Sequence, residues 1–332
     1  MSKIANKLYA DYESNHIMMI FPWMHQKYSY FNDLVAIYKK LSEIFYMNRV
    51  KQTLIFPNKK KYNGEILDFF ADNIEIIEYE CNDIWIRDYY PKLYTNQKNK
   101  KEINYNYNGY GKKYKFDKDD NLKKIVNKHL IGLDLKDLVL EGGNLEFSSK
   151  GLLLTNKHCI IKNNLNISYE EINKKFDILK NEIDIKEIFM IDIDPMQGDD
   201  TNGHIDNFIR LINDETLLYF ASDDKSYHNY DLAHKLKEQV HDIFIKSKII
   251  KNIVPVLHNS EDILVKNKKI CPYSKLNFII TKNCYIFPST KSNTDCLNNQ
   301  ISKLKLDKKF YVLNTEASLI ESGGLHCLTA NI

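Results

Sequence analysis

Along this chain, short unbroken apolar runs alternate with stretches whose apolar residues recur at helical spacing. Ile17–Phe21 is an apolar run of strand length, and Leu34, Ile37, Leu41, Ile44 and Phe45 then fall on one helical face. Thr53–Phe56 reads as a strand, Gly64–Ala71 as a short helix and Ile74–Tyr79 as a further strand. Leu152–Thr155 and Cys159–Ile161 predict a hairpin turning at Asn156-Lys157. Ser168–Asn181 reads as a helix opened by a capping box, Ser168 with Glu171. Strands are expected at Glu187–Ile191, Thr216–Ala221 and Ile253–Leu257, with a helix over Tyr230–Ile245. Asn277–Thr281 and Cys284–Phe287 predict another hairpin, followed by a helix and the strand Phe310–Leu313. Asn96–Lys101 and Tyr110–Leu122 read as polar surface loops. The grammar is a β-β-α-β unit recurring roughly every 60–70 residues, a period that suggests a radial or stacked α/β array.

Composition narrows the classes. No Pro/Gly/Ser-rich linker divides the 332 residues, so residues 1–332 read as a single domain. The charge is nearly balanced, with 47 Lys+Arg against 44 Asp+Glu. Lysine runs such as Lys59-Lys60-Lys61 are scattered, so they read as solvated loops and a nucleic-acid partner is not expected. Met1 to Asn15 has no apolar signal region, and the longest apolar run is too short to span a bilayer. The six cysteines form no CxxC pair, which argues against a zinc knot or a dithiol redox site. Free thiols in the reducing cytoplasm are the expectation.

Glycine use then points to chemistry. Of the eleven glycines, most cluster in four places: Gly109 and Gly111, Gly142 and Gly143, Gly198 and Gly203, Gly323 and Gly324. Asn82-Asp83-Ile84-Trp85-Ile86-Arg87-Asp88 alternates like a strand end, with Asp83, Trp85 and Arg87 on one face. It reads either as a surface salt bridge beside a core tryptophan, or as a carboxylate and an aromatic presented to a cation. Leu140-Glu141-Gly142-Gly143 is a strand entering a tight turn, and alone it suits an exposed glutamate. In the run from Gly198 to Asp206, His204 and Asp206 are two apart, so an extended chain puts both on one side. That run reads as an Asx-rich loop, as a proton shuttle beside a carboxylate, or as a cation site, although its spacing fits neither HExxH nor an EF-hand loop. Finally, Gly323-Gly324-Leu325-His326-Cys327 places a thiol after paired glycines. A lone cysteine is usually a small core residue. Cys327 differs from the other five in its glycines and in its neighbouring histidine. His326 is expected to point away from Cys327, leaving His204 as the base.

Taken in order, these segments resemble the agmatine deiminase and bacterial-type peptidylarginine deiminase family of guanidine-modifying enzymes. NDIWIRD is similar to that family's NDxWxRD, LEGG to its LEGG, GDDTNGHID to its GDDTxGHxD, and GGLHCLT to its GGxxHCxT. Weaker echoes are Ala10–Glu13, Asn106–Tyr114 and Asn277-Phe278. The resemblance implies a single α/β domain, a five-bladed pseudo-symmetric propeller of ββαβ units (the pentein fold). It implies Cys327 as nucleophile, His204 and Glu141 as catalytic partners, and Asp88 and Asp206 as the carboxylates that hold the guanidinium, with Trp85 beside them. It implies a hydrolase of linear amidines that needs no metal or organic cofactor. The substrate would be a small cationic guanidine, agmatine, and the setting putrescine and polyamine biosynthesis in the cytoplasm. Peptidyl-arginine, free arginine or a methylated arginine is the alternative substrate. A homo-oligomer is compatible with the sequence. The chain departs from the family at Tyr89-Tyr90-Pro91, at Asn163–Asn166 and at Gly109-Tyr110, where the family has tryptophan. These departures bear on substrate choice.

Overall fold

A computed structural model describes residues 6–22, 30–57, 74–96, 99–126 and 132–332. The architecture is mixed α/β, built from several small sheets and the helices packed on them. The same local wiring recurs. Strand Glu146–Ser148 pairs antiparallel with Leu152–Asn156, which pairs parallel with Glu187–Ile191. Ile209–Leu211, Thr216–Ala221 and Asn252–Leu257 repeat that order, as do Ile279–Ile280, Cys284–Ser289 and Lys309–Asn314. A helix makes each parallel crossover, because parallel neighbours cannot be joined by a tight turn. In a further sheet, Thr329–Asn331 lies antiparallel to His16–Ile20, which runs parallel to Lys51–Phe56. The last strand therefore shares a sheet with a strand near the start of the chain, His16–Ile20.

Periodicity carried most of these elements. Helix Phe31–Met47 buries Leu34, Ile37, Leu41, Ile44 and Phe45, the expected face. The capping box of Ser168 and Glu171 opens helix Tyr169–Glu182, with both reciprocal bonds made. Strand Cys284–Ser289 is buried along its whole length, so Cys284 is a core thiol. The expected helix at Gly64–Ala71 lies outside the described residues.

Four expectations are corrected. Cys159–Ile161 is not a strand but part of helix Lys157–Asn163, because the Asn156 side chain accepts from the His158 amide and caps that helix. The hairpin is formed one strand earlier, by Glu146–Ser148. Lysine-rich residues around position 100 belong to the paired strands Lys92–Asn96 and Asn99–Asn106, where Lys100 and Lys101 are only half-buried and so keep their charges near solvent. The segment Tyr110–Leu122 holds helix Asp117–Val126 and the turn Gly109–Lys112. The NDIWIRD run is no strand end, since Ile86–Tyr89 is a helical turn.

Among the described residues, no helix is long and apolar enough to cross a membrane. All six cysteines are unpaired.

Candidate active site

Each of the four segments ends in a short turn rather than in regular structure, and the turns meet. The helical turn Ile86–Tyr89 sends Asp88 and Arg87 in different directions. Asp88 faces inward, where Oδ1 accepts from the Gly143 amide at 3.0 Å. Arg87 bonds Asp11 and Asn331. Asp83 turns back to accept from the Trp85 amide at 2.9 Å. The sequence reading put Asp83, Trp85 and Arg87 on one face; the helical turn separates them.

After Leu140 the chain makes the 3-10 turn Gly142–Asn144. Gly143 is required by close approach. A β-carbon there would lie 2.6 Å from both Asp88 Oδ1 and His204 Nδ1, and 3.2 Å from Asp206 Oδ2. A methyl group would therefore fill the centre of the site. The same geometry shows that the two aspartates and the histidine surround one point. His204 and Asp206 reach it from the 3-10 turn Ile205–Asn207, not from an extended strand. Their convergence was expected; the local conformation was not.

His204 is wholly buried, and Glu141, Asp88 and Asp206 are each 1 % exposed. His204 Nε2 lies 2.6 Å from Glu141 Oε2. Its Nδ1 lies 3.3 Å from Asp88 Oδ1, within ion-pair distance though without hydrogen-bond alignment. Burial pulls the His204 pKa down. The charge of Asp88 and the hydrogen bonds to Cys159 and Glu141 outweigh that and hold it well above the ordinary imidazole value. Asp88 shows the opposite conflict. Burial raises it, and the charges of Asp206 and Glu141 add to that against the pull of His204, leaving it at about 7. Burial also pushes Asp206 up, but the hydrogen bond and charge of His326 hold it below the ordinary range.

Cys327 is buried, its sulfur 3.5 Å from Asn277 Oδ1. Burial and the charges of Asp206 and Asp88 push its thiol well above the usual value, against the opposing pull of His204. The site alone thus holds a neutral thiol beside an imidazolium. Gly323 lets the chain pass the Trp85 ring, since a β-carbon there would sit 2.3 Å from it.

Of these groups, Trp85, Asp88 and Cys327 line a cavity of about 530 Å³, with Tyr110 and Asp200 also in its wall. Two buried oxygens, Asp206 Oδ1 and Glu141 Oε1, have no hydrogen-bond partner among the described residues. Such orphan acceptors suit a ligand rich in N–H donors.

The structure adds three residues that the sequence reading left without a role. His326 does point away from Cys327, and it goes to Asp206 and Asp11, at 2.7 and 2.8 Å. Burial and the guanidinia of Arg210 and Arg87 push its pKa down towards about 4. The geometry decides for the charged ring, because a neutral one would aim a lone pair at one carboxylate. Asn277 anchors the cysteine turn, accepting the His326 amide at 3.0 Å; only its place in an echo of a motif hinted at it. Cys159 lies 3.5 Å from Glu141 Oε2. Burial and Glu141 raise its pKa to about 12, so it is a donor thiol. Glu141, Cys159 and His204 bring their donor atoms within 4.8 Å of one another. With an imidazolium and an un-ionised thiol, that trio works as a hydrogen-bond chain. The acidic loop read as a cation site is closed on itself: Asp199 accepts from Thr201 and Gly203.

The profile of the Porphyromonas-type peptidyl-arginine deiminase family matches residues 9–332. The chain belongs to that family. Among its relatives, a protein of Latilactobacillus sakei provisionally named an agmatine deiminase is 27% identical over 292 residues, covering 79% of this chain and 78% of that one. A similarly named protein of Enterococcus faecalis is 25% identical over 322 residues, covering 88% and 84%. The fold is shared with a substrate-bound cysteine-to-serine variant of C. jejuni agmatine deiminase, at TM-score 0.83, 24% identity and coverage of 98% and 96%. It is shared also with the agmatine deiminase of Enterococcus faecalis, at TM-score 0.86, 19% identity and coverage of 99% and 98%.

Proposed function

We propose that this chain hydrolyses agmatine to N-carbamoylputrescine and ammonia through a covalent Cys327 intermediate. The observation that carries the reading is the convergence of two buried carboxylates and a buried histidine on one point, with Asp88 and the Cys327 thiol lining the cavity beside it. A planar guanidinium offers paired N–H donors, which Asp88 and Asp206 can accept while fixing its plane. The positive charge also explains the resting thiol. Asp88 and Asp206 raise the Cys327 pKa; a bound cation offsets them, so the thiol sheds its proton to solvent as substrate enters.

The thiolate then attacks the central guanidinium carbon. His204, held by Glu141 at Nε2, gives the Nδ1 proton to the departing amine, and ammonia leaves behind a thiouronium. Neutral His204 next takes a proton from water, and the resulting hydroxide adds to the same carbon. Collapse releases the ureido product, and the hydroxyl proton returns to the sulfur. Glu141 stabilises the imidazolium each time it forms. The proposed residue roles are those that the resemblance implies: Cys327 nucleophile, His204 acid and base, Glu141 its orienter, Asp88 and Asp206 the clamp, and Trp85 a further substrate-binding residue.

The relatives named for agmatine support the substrate. We read residues 1–332 as one catalytic domain in which the recurring sheets form five ββαβ blades about a pseudo-fivefold axis, acting in the cytoplasm in polyamine synthesis.

The test supplies agmatine, arginine and a blocked arginyl peptide and measures ammonia and ureido product. Agmatine should be turned over and the other two hardly at all. Turnover restricted to arginine or to the peptide would replace the substrate, and silence with every guanidine would sink the deiminase reading. Cys327→Ala should abolish turnover while leaving the thermal melt intact.

A further inference from the structure

Gly109, Tyr110, Gly111 and Lys112 have φ of 65°, 58°, 77° and 67°. This is a full turn of left-handed helix. L-residues avoid that conformation, and it normally occurs one residue at a time. Two of the four are not glycine, so the turn is strained, and strain of this kind persists where the surroundings fix it. Here they do. Asn108 accepts from Gly111 through its side chain and from Lys112 through its carbonyl, each at 2.8 Å. Lys113 Nζ donates to the Asp200 carbonyl at 2.6 Å, and the Tyr114 hydroxyl to Asp200 Oδ2 at 2.8 Å. The turn is thereby lashed to the loop that leads into His204.

The strained residue Tyr110 is buried, and its hydroxyl donates to Asp88 Oδ2 at 2.8 Å. Asp88 thus has a partner at each oxygen, with Gly143 N–H and His204 on Oδ1. This is also a position where the chain departs from its family's tryptophan. We propose that Tyr110 is a positioning residue for Asp88: its hydroxyl fixes the rotation of the carboxylate and favours its ionised form, presenting a set edge to a guanidinium. The inference rests on the deiminase reading for the ligand, and on geometry for the contact. An anionic carboxylate buried among Glu141, Asp206, Cys327, Tyr105 and Tyr107, with His204 the cation beside it, needs every donor it can get. Tyr110 stays a phenol, since burial and Asp88 itself raise its pKa well above 10.

The deciding variant is Tyr110→Phe, which removes one oxygen atom. For agmatine, kcat/KM at neutral pH should fall roughly tenfold, as loss of a hydrogen bond to a charged group predicts. The fall should lie in KM, with kcat within about twofold, and the acid limb of kcat/KM should move up by about one pH unit. The melting temperature should hold. In a Cys327→Ala background, calorimetry should show agmatine binding weakened by the same factor. An unmoved acid limb, a loss confined to kcat, or a lost cooperative melt would each overturn the assignment. If the natural sequence hydrolysed no guanidine yet bound agmatine in a Tyr110-dependent way, the deiminase reading would fall and this one would stand. Neither turnover nor binding would overturn both.

Discussion

At the scale of single residues, Asp88 carries the sharpest conflict. It must be an anion to hold a cation, yet it is buried next to two other carboxylates and sits at about 7. In the free protein it gains its proton as pH falls through that value, and the clamp is lost. The slope of log kcat/KM for a guanidine should therefore steepen by about one unit per pH unit below neutrality, on top of the slope that loss of the Cys327 proton already imposes. In the complex the bound cation favours the carboxylate, so the acid limb of kcat should lie at lower pH. Coincident limbs in the two profiles, or a kcat/KM limb down in the ordinary aspartate range, would refute this. On the proposed mechanism the charge of the site is mutual, with the substrate ionising both Asp88, which would bind it, and the Cys327 thiol, which would attack it.

At the scale of elements, two asparagines join the glutamate turn to the histidine turn. Asn144 Oδ1 accepts from the amides of Asn156 and Ile205. Asn156 Nδ2 donates to the carbonyls of Ile193 and Gly203, at 2.8 and 2.7 Å. Asn156→Ala leaves those buried groups unpaired, which should cost about 2–4 kcal/mol of stability. It should also lower kcat more than KM, because His204 follows Gly203 directly. Urea denaturation and steady-state kinetics would check both, and an unchanged kcat would count against the coupling. This is also the scale at which the sequence was hardest to read. Strands such as Thr216–Ala221 and Cys284–Ser289 were legible because burial leaves an unbroken apolar run. The candidate site residues stand in motifs, and the structure brings them together. Their conformations were not legible, because they lie in turns held by side chains distant in sequence. Asn156 turns an apolar triplet into a helix by capping it, and Asn277 sets the cysteine turn from 49 residues away. The left-handed turn left only paired glycines as its trace.

At the scale of the molecule, a buried charge network lies behind the site. Asp11 is 3.2 Å from Arg87, 3.6 Å from Lys92, 3.5 Å from Arg210 and 2.8 Å from His326. Arg210 also meets Glu146 at 3.2 Å. Five separate stretches of chain contribute, and His326 passes the network on to Asp206. Asp11→Ala leaves several buried cations without their shared anion. It should destabilise the protein by roughly 3–5 kcal/mol, as breaking a buried ion pair does, and a shift below about 1 kcal/mol in the urea-derived free energy would contradict that. Cations and anions alternate from the network to the cavity, so the site's negative face is braced by positive charge that never meets solvent.

The pairing of Thr329–Asn331 with His16–Ile20 has a temporal consequence. That contact joins residues more than three hundred positions apart, so among the described residues it has the largest loop-closure cost of any strand pairing and belongs late in assembly. The described sheets between Ile17 and Leu313 could find their neighbours while Cys327 was still unplaced. Gain of activity during refolding would then report the last closure and not the bulk of folding. By the same logic, brief detachment of that one short strand would silence the protein while most of its secondary structure stayed intact.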